Sequence, residues 1–334
     1  MCGRFALSLS RENLEINLRE VQLQVQEWLD EDQYRPNYNV APKTRAATIR
    51  RSNPNDATLA MDWMQWGLVP HWAEAPPTHG NLMNTINARD DKVLESKGLW
   101  SSVKSKKRCI VICEGFYEWL TKNKEKTPYF TKRKDGRLMC LAGLWDSVQF
   151  KGEDKPLHTF TIITTSSNSY LSFLHDRMPV ILPSVKEMEQ WLDTSDQSWS
   201  SGLAGLLKPF EEPDGLVSYA VPKEVGKVGN QSADFIKPVS ERKGNIASFF
   251  GKPKVVDKVS LKPNVDEPKP VCSGSTKSDS QADELLRDVD VKVSSHAKRS
   301  NDSSKSDETL LLEPDTKKIK VSSDDPDFDN TNTK

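Results

Sequence analysis

Over residues 1–240, apolar positions cluster in short blocks, and most of these blocks are typical of β-strands. Three runs rich in β-branched and aromatic residues, KRCIVICEGFYEW, GRLMCLAGLWDSV and HTFTIITTSS, predict buried strands. Helical patterns are few and do not alternate regularly with these runs, which argues against a doubly wound parallel sheet. The pattern therefore predicts an α+β fold, with a curved mixed or barrel-like β core and peripheral helices.

Two segments have the spacing of an amphipathic helix. In SVKEMEQWLD, Ser184 is a favourable N-cap, and the apolar residues after it recur at helical intervals. The segment RENLEINLREVQLQVQEWLD (residues 11–30) predicts a second helix, whose ends the pattern does not define.

The aromatic residues divide the chain near residue 240. All nine Trp and all six Tyr precede residue 220, whereas the stretch after Pro238 holds three Phe and is rich in Lys, Asp, Ser and Pro. Such a composition buries too little apolar surface to offset the loss of chain entropy. We therefore expect one domain over residues 1–240 and a disordered tail over residues 241–334.

Composition narrows the class of protein further. The 334 residues carry 47 basic and 48 acidic side chains, so any nucleic-acid-binding face must be local. The five cysteines are odd in number and scattered, which favours a reducing compartment over a disulfide framework. No apolar run reaches transmembrane length and no signal-peptide pattern is present, so we expect a soluble cytosolic or nuclear protein.

Two patterns have plain structural interpretations. Cys109 and Cys113 lack the spacing of a zinc knuckle and are expected to be core residues. The run KSKKR (residues 104–108) is typical of a solvated face, although it could also contact phosphates. We expect no cofactor and no metal centre.

The N-terminus offers the first candidate chemistry. If Met1 of MCGRF is removed, Cys2 carries an α-amine and a thiol on adjacent carbons. In GFYEW, Glu118 lies at the end of an apolar strand between two aromatic residues. It is either an edge-strand glutamate in water or a desolvated carboxyl suited to general acid–base work.

Three further motifs place polar residues among apolar ones. They are LHDRMP with His175, INARDD with Asn87 and Arg89, and NYNVAP with Asn39. A lone histidine is more often structural than catalytic, and each of these residues taken singly is typical of ordinary hydrogen bonding. Together they could orient or bind an oxygen-rich ligand.

As a set, the motifs resemble those of the SRAP (SOS response-associated peptidase) family. MCGRF, YNVAP, WGLVPHW, INAR, GFYEW and HDRMP occur in the family's order and spacing, over roughly residues 2–239. The resemblance implies a single α+β domain that binds single-stranded DNA and junctions and bonds covalently to abasic sites. It also implies self-processing peptidase activity and lyase or crosslink-reversal activity.

The resemblance assigns roles to individual residues. Cys2 is expected to form a thiazolidine with the ring-opened sugar, Glu118 and His175 to act as acid and base, and Asn87 to hold the N-terminal group and the sugar. The WGLVPHW loop is expected to shape the DNA channel. DNA contacts are expected from Arg4, Asn39, Arg89, Trp119 and Arg177.

The tail contains two candidate partner motifs. In KGNIASFFG (residues 243–251), Ile246, Phe249 and Phe250 have the spacing of a motif that binds the replication sliding clamp, although Lys243 replaces the usual Gln. TKKIKV (residues 316–321) resembles a nuclear import signal. We therefore expect a monomer that acts in the nucleus at replication forks, with a possible presence in the cytoplasm, and no membrane partner.

Two other functions remain open from the sequence. An N-terminal-nucleophile amidohydrolase or peptidase would use Cys2 to attack an amide, and self-removal of Met1 is compatible with either chemistry. A non-enzymatic reader of modified cytosine would bind DNA without needing Cys2.

Overall fold

The computed structural model describes residues 2–212 and 214–241. The tail motifs predicted at residues 243–251 and 316–321 lie outside these residues, as does Met1. Across the described part of the chain, none of the helices combines the length and the apolar character that a membrane span requires.

Short strands dominate the described residues, and the helices are short and peripheral. The strands are β1 Arg4–Leu7, β2 Glu27–Trp28, β3 Asn37–Val40, β4 Arg45–Arg51, β5 Leu59–Trp66, β6 Asn87–Arg89, β7 Arg108–Cys113, β8 Gly115–Lys122, β9 Glu125–Arg133, β10 Met139–Val148, β11 Leu157–Ser166, β12 Arg177–Pro179 and β13 Leu216–Ala220. The α-helices are α1 Arg11–Glu20, α2 His79–Met83, α3 Asp90–Leu94, α4 Leu99–Val103, α5 Val185–Leu192 and α6 Ser201–Ala204. Single 3₁₀ turns span Glu31–Gln33, Lys223–Gly226, Ala233–Ile236 and Val239–Glu241.

Five strands form a closed barrel. Hydrogen bonds join β11, β10, β7, β4 and β5 in that order, all antiparallel, and a parallel pairing of β5 with β11 closes the ring. Closure leaves no unpaired edge in the ring, which protects these strands from pairing with other chains. The predicted α+β class with a barrel-like core is confirmed.

Both faces of the barrel strands are buried, which explains why their sequences read as continuous apolar runs. On β7, Val111 belongs to one apolar cluster together with Phe160 of β11. The neighbouring Ile110 belongs to a second cluster, which also contains Leu14 of α1 and Trp191 of α5. Alternate side chains therefore fill the barrel and the layer beneath the helices.

A second, antiparallel sheet has the strand order β13, β9, β8, β1, β3, and it contains the N-terminal strand. Phe5 of β1 pairs with Phe116 of β8 on one side and with Val40 of β3 on the other. The ring of Phe5 lies 5.1 Å from that of Trp66, which stacks on Phe160 inside the barrel at 6.1 Å. The N-terminal strand is thus packed against the mouth of the barrel.

The two predicted helices have different outcomes. Helix α5 occurs as predicted, with a reciprocal capping box between Ser184 and Glu187. Helix α1 stops ten residues earlier than the predicted segment, because Gln22 adopts φ 58° and the N–H groups of Gln22 and Leu23 bond back to Arg19 and Leu18. This is a Schellman motif with glutamine in the position that glycine usually holds, so no glycine marks the end of this helix.

The expectation of a solvated face for residues 104–108 is wrong at both ends of the run. Lys104 is 6% exposed, and its Nζ donates to the carbonyls of Val93 and Glu95, at 2.7 and 2.8 Å. Arg108 is 1% exposed and donates to carbonyl groups at the C-terminal end of α5, including that of Trp191 at 2.7 Å. Both cations satisfy carbonyl groups that helix ends leave unpaired.

A buried ion pair lies inside the barrel, at the end where β11 begins. Asp62 is 4% exposed and accepts hydrogen bonds from Arg50 Nε at 2.9 Å and from His158 Nδ1 at 2.8 Å. The Arg50 guanidinium lies 4.6 Å from the ring of Trp145. Burial alone would raise the pKa of Asp62, but the His158 hydrogen bond and the Arg50 charge more than offset it, so the pKa is lowered.

Replacing Asp62 should therefore destabilise the protein in a pH-dependent way. Asp62→Ala leaves Arg50 buried without its partner, so we expect the free energy of unfolding at pH 7 to fall by about 3–5 kcal/mol. A lowered folded pKa means that the contribution of Asp62 is present above its unfolded pKa, about 3.9, and is lost as the pH falls through the folded pKa. Urea denaturation at pH 7 and pH 3 measures both effects, with the exposed Asp154→Ala as control. Equal stability of Asp62→Ala and the parent at pH 7 would contradict this account.

Candidate active site

The pairing of β1 with β8 brings the N-terminus to the glutamate of GFYEW. Arg4 pairs with Tyr117, and continuing this antiparallel register by one residue places Gly3 opposite Glu118. Gly3 and Glu118 line the same groove. Cys2, the next residue, is 1% exposed, and Glu118 is 9% exposed. Backbone pairing therefore holds the first residues of the chain beside a largely buried carboxyl group.

One barrel strand supports two other motifs. Along the C-terminal half of β11, β6 of the INAR motif pairs on one side and β12 of the HDRMP motif pairs on the other. The Nδ2 of Asn87 donates to the carbonyl oxygen of Cys2 at 2.9 Å. His175 lies immediately before β12, and its Nδ1 accepts from the backbone N of Arg177 at 3.0 Å. His175 and Glu118 line the groove together.

An ion pair that the sequence analysis missed joins these two motifs. Arg177 Nη2 donates to Asp90 Oδ1 at 2.8 Å, and the other carboxylate oxygen of Asp90 accepts from Thr165 Oγ1 at 2.7 Å. Arg177 also donates to the carbonyl of Thr164, and its side chain is 9% exposed. Its guanidinium therefore ties INARDD to HDRMP, and the expected phosphate contact of Arg177 stays a prediction.

The groove has a volume of about 860 Å³, and cations outnumber carboxylates among the charged residues that line it. Among the described residues that line it, Arg4, Lys43 and Lys126 have cationic side chains, and Glu118 has a carboxyl group. Such a surface favours a polyanionic ligand. Trp119 also lines the groove, and its ring lies 5.9 Å from the Arg4 guanidinium.

The buried position of Cys2 controls its protonation. Burial, and next the charge of Glu118, raise the pKa of the Cys2 thiol to about 12. In the chain that still carries Met1, the thiol is therefore neutral at physiological pH. Asn87 Oδ1 is buried close by and accepts no hydrogen bond from the described residues, so it is available to an amine or a hydroxyl group.

Asn39 and Arg4 clasp the segment that forms one wall of the groove. Asn39 Nδ2 lies 3.1 Å from each of the carbonyl oxygens of Val225, Lys227 and Asn230. Its Oδ1 accepts from Arg4 Nη1 at 2.8 Å, and Asn39 is 2% exposed. Both residues thus support the wall that carries Gly226 and Val228, and Asn39 is enclosed by protein where DNA contact was expected.

Arg89 has a more open position than the other motif arginines. Its side chain is 49% exposed and pairs with Asp91, with Nε and Oδ1 3.0 Å apart. The hydrogen bond and the charge of Asp91 raise the pKa of Arg89. Arg89 lies at the end of β6, two residues after Asn87. This exposure leaves room for the predicted phosphate contact.

The WGLVPHW loop supports the site indirectly. Trp66 is fully buried, and its Nε1 donates to the carbonyl of Ile86 at 2.8 Å, just before the INAR strand. Gly67 has φ +115°, and a Cβ there would lie 2.6 Å from Leu82 Cγ, so the turn requires glycine. Residues 66–72 are not among those that line the groove. Their effect on the groove is through packing against the N-terminal strand and INAR.

Several lining residues had no signal in the sequence. Lys43 directly follows NYNVAP and adopts φ 71°, which is unusual for a lysine. His79, Met83 and Lys126 reach the groove from α2 and β9, outside every motif. Only the fold brings these residues to the site.

Comparisons with known proteins agree with the motif set. Residues 1–228 match the family described as SOS response associated peptidase (SRAP). Proteins named abasic site processing protein are 36% identical in Saccharomyces cerevisiae over 271 residues (74% of this chain and 71% of that one), 31% in Gallus gallus over 267 residues (72% and 78%) and 34% in Bacillus subtilis over 238 residues (71% and 99%). The crystal structure of a protein from Bacteroides thetaiotaomicron superposes with a TM-score of 0.58 at 26% identity, covering 71% of this chain and 99% of that one.

Removing the Asn39 amide should loosen the groove wall. Asn39→Ala leaves three carbonyl oxygens and the Arg4 guanidinium without this partner, and losing a buried partner costs about 1–3 kcal/mol. We expect trypsin to cleave at Lys223 or Lys227 about tenfold faster than in the parent. Limited proteolysis followed by mass spectrometry measures the rate, with the exposed Asn55→Ala as matched control. If Asn39→Ala were cleaved at the parent's rate, Asn39 would not be needed to hold this wall in place.

Proposed function

Because the chain belongs to the SRAP family, we propose that it processes abasic sites in DNA by bonding covalently to them through Cys2 after Met1 has left. The names of its relatives support the abasic site as the substrate. The arrangement of Cys2 supports the covalent route, because Asn87 binds its carbonyl oxygen and the next residue, Gly3, lines the groove together with Glu118.

The DNA is held mainly by its backbone. An abasic site has no base edge to read, so binding depends on phosphate and sugar contacts and on the neighbouring bases. Arg4, Lys43 and Lys126 supply positive charge along the groove, and Arg89 supplies it at the end of the INAR strand. Binding should therefore weaken with salt. Single strands and junctions are the preferred ligands, because their sugars are accessible without melting a duplex.

The α-amine of Cys2 makes the first bond. The abasic sugar is mostly a closed hemiacetal, and acid–base help from Glu118 and His175 opens it to the aldehyde. An α-amine has an ordinary pKa of about 7.7–8.0, so a useful fraction is neutral at physiological pH and attacks the aldehyde carbon. Glu118 then protonates the departing hydroxyl of the carbinolamine, which leaves as water and yields an imine.

The thiol makes the second bond. The Cys2 thiol transfers its proton to the imine nitrogen and its sulfur adds to the imine carbon, which closes a five-membered thiazolidine. The overall reaction converts an aldehyde and an aminothiol into a thiazolidine and one water, with no oxidant or reductant. An imine alone would acidify the adjacent sugar carbon and promote strand cleavage by β-elimination. Ring closure removes that electron sink and keeps the strand intact.

Glu118 could also take part in two further reactions, the removal of Met1 and the reversal of the crosslink. Glu118 can protonate the ring during the reverse reaction, which gives crosslink reversal. Self-removal of Met1 would use the same carboxyl group on a peptide bond. We propose a nuclear site of action, which fits abasic-site repair and the import-signal resemblance of residues 316–321.

Replacing the Cys2 thiol should separate the two bonds. Cys2→Ser retains the amine but cannot form the thiazolidine, so we expect no heat-stable adduct and, instead, strand cleavage through the imine. Denaturing electrophoresis of a single-stranded oligonucleotide with one abasic site measures both products, and Cys109→Ser, a buried cysteine away from the N-terminus, controls for thiol loss. A durable crosslink from Cys2→Ser would refute the thiazolidine.

The same assay separates the competing functions. Peptide or glutamine turnover that requires Cys2, with no shifted band, would favour an amidohydrolase. Binding that survives the loss of Cys2 and prefers modified cytosine over an abasic site would favour a base reader.

Removing the acid should slow both directions of the reaction. Glu118→Gln keeps the shape of the side chain but cannot donate the proton, so we expect crosslink formation and reversal to slow by about 100-fold. Single-turnover electrophoresis measures the rates, with the exposed Glu153→Gln as matched control. Unchanged rates in Glu118→Gln would exclude this carboxyl from the mechanism.

A further inference from the structure

Two large aromatic side chains are exposed on the turn that precedes His175. Tyr170 is 46% exposed and Phe173 is 50% exposed. The turn is well held, because Leu171 is 2% exposed and its backbone N donates to Asn168 Oδ1 at 2.9 Å. Tyr170 is fixed in turn by its hydroxyl oxygen, which accepts from the backbone N of Ser218 at 3.0 Å. The exposure of these rings is thus a property of an ordered turn.

A third ring connects this turn to the candidate acid. Tyr129 of β9 is half-buried, and its ring lies 5.7 Å from that of Phe173 in an edge-to-face arrangement. Tyr129 is directly opposite Glu118 in the pairing of β8 with β9, so the two side chains lie on the same face of the sheet. We call Tyr129 and Phe173, together with Tyr170 on the same turn as Phe173, the aromatic shelf.

The aromatic shelf continues the groove on the side of Glu118 and His175. Glu118 lines the groove and neighbours Tyr129, while His175 lines it and lies two residues after Phe173. Lys126, three residues before Tyr129 on β9, is exposed and lines the groove as well. The shelf therefore has a cation and the acid–base pair as its neighbours, which suits an aromatic ligand that is attached to a phosphate chain.

We propose that the aromatic shelf stacks the nucleobase next to the abasic sugar, on one side of the lesion. This rests on the proposed function, because the abasic sugar must lie at Glu118. A lesion without a base leaves its neighbouring base unstacked on that face, and an exposed aromatic ring replaces the lost stacking partner. Stacking of this kind accepts any of the four bases. The site would then have two parts: the groove, where the sugar reacts, and the aromatic shelf, which binds the base beside the lesion.

A cycle of substitutions on protein and DNA tests this contact. The probe is a single-stranded oligonucleotide with a tetrahydrofuran analogue, which has no aldehyde and binds without crosslinking. In partner oligonucleotides, the base on the 5′ side or the base on the 3′ side is also removed. Dissociation constants are measured for the parent, Phe173→Leu, Phe173→Trp and the exposure-matched control Ile16→Ala, and circular dichroism checks folding. Crosslinking of a natural abasic oligonucleotide is measured in parallel at saturating protein.

Stacking on Phe173 predicts how each substitution changes the dissociation constant. Phe173→Leu should weaken binding about tenfold, and Phe173→Trp should restore it. Removing the base on one side should weaken DNA binding by the parent by a similar factor. It should leave DNA binding by Phe173→Leu unchanged, because the base and the Phe173 ring contribute only when they stack on each other. Equal losses for the parent and Phe173→Leu would overturn the shelf, as would unchanged DNA binding by Phe173→Leu. If the parent crosslinks but neither neighbouring base matters, only the shelf is wrong; if the parent does not crosslink, the proposed function fails and the shelf with it.

Discussion

The site depends on the N-terminal strand being a central strand of a sheet. Strand β1 bonds to β8 on one side and β3 on the other, so its backbone groups are paired in both directions. Chain termini usually fray, because few contacts restrain them. Here, the contact of Phe5 with Trp66 adds a side-chain anchor inside the barrel mouth. The candidate nucleophile Cys2 is thereby held in place by main-chain geometry.

Strand β11 positions two further motifs, INAR and HDRMP. INAR and HDRMP are far apart in sequence, yet they flank the same half of β11 and are joined by the ion pair of Asp90 with Arg177. The NYNVAP strand contributes differently, because Asn39 fixes the segment that returns from residues 223–230. Each motif thus has a structural task within the protein as well as a candidate chemical one. Asn39 and Arg177, which the resemblance assigns to DNA contact, form hydrogen bonds within the protein that hold the site together.

Local patterns predicted the strands and helix α5, because apolar periodicity and capping residues are local properties. The predicted segment is longer than helix α1, because the helix ends through a positive φ at Gln22, a conformation that glutamine rarely adopts. The buried roles of Lys104 and Arg108 escaped the sequence because their partners are carbonyl groups at helix ends, which carry no sequence signature. The motif set identified Cys2, Glu118, His175 and Asn87 as candidates. It missed Lys43 and Lys126, which reach the groove only through turn geometry and strand register.

The position of β1 also orders events during synthesis. Its partner β8 spans Gly115–Lys122, so the pairing that buries Cys2 cannot form until more than a hundred further residues have left the ribosome. Contacts of such long range form late in folding, and domains complete their folding as units. Throughout that interval the first residues are open to an aminopeptidase, whereas Cys2 in the folded chain is 1% exposed. An external aminopeptidase would therefore have to act before β1 pairs with β8, whereas self-removal of Met1 through Glu118 would require the folded site.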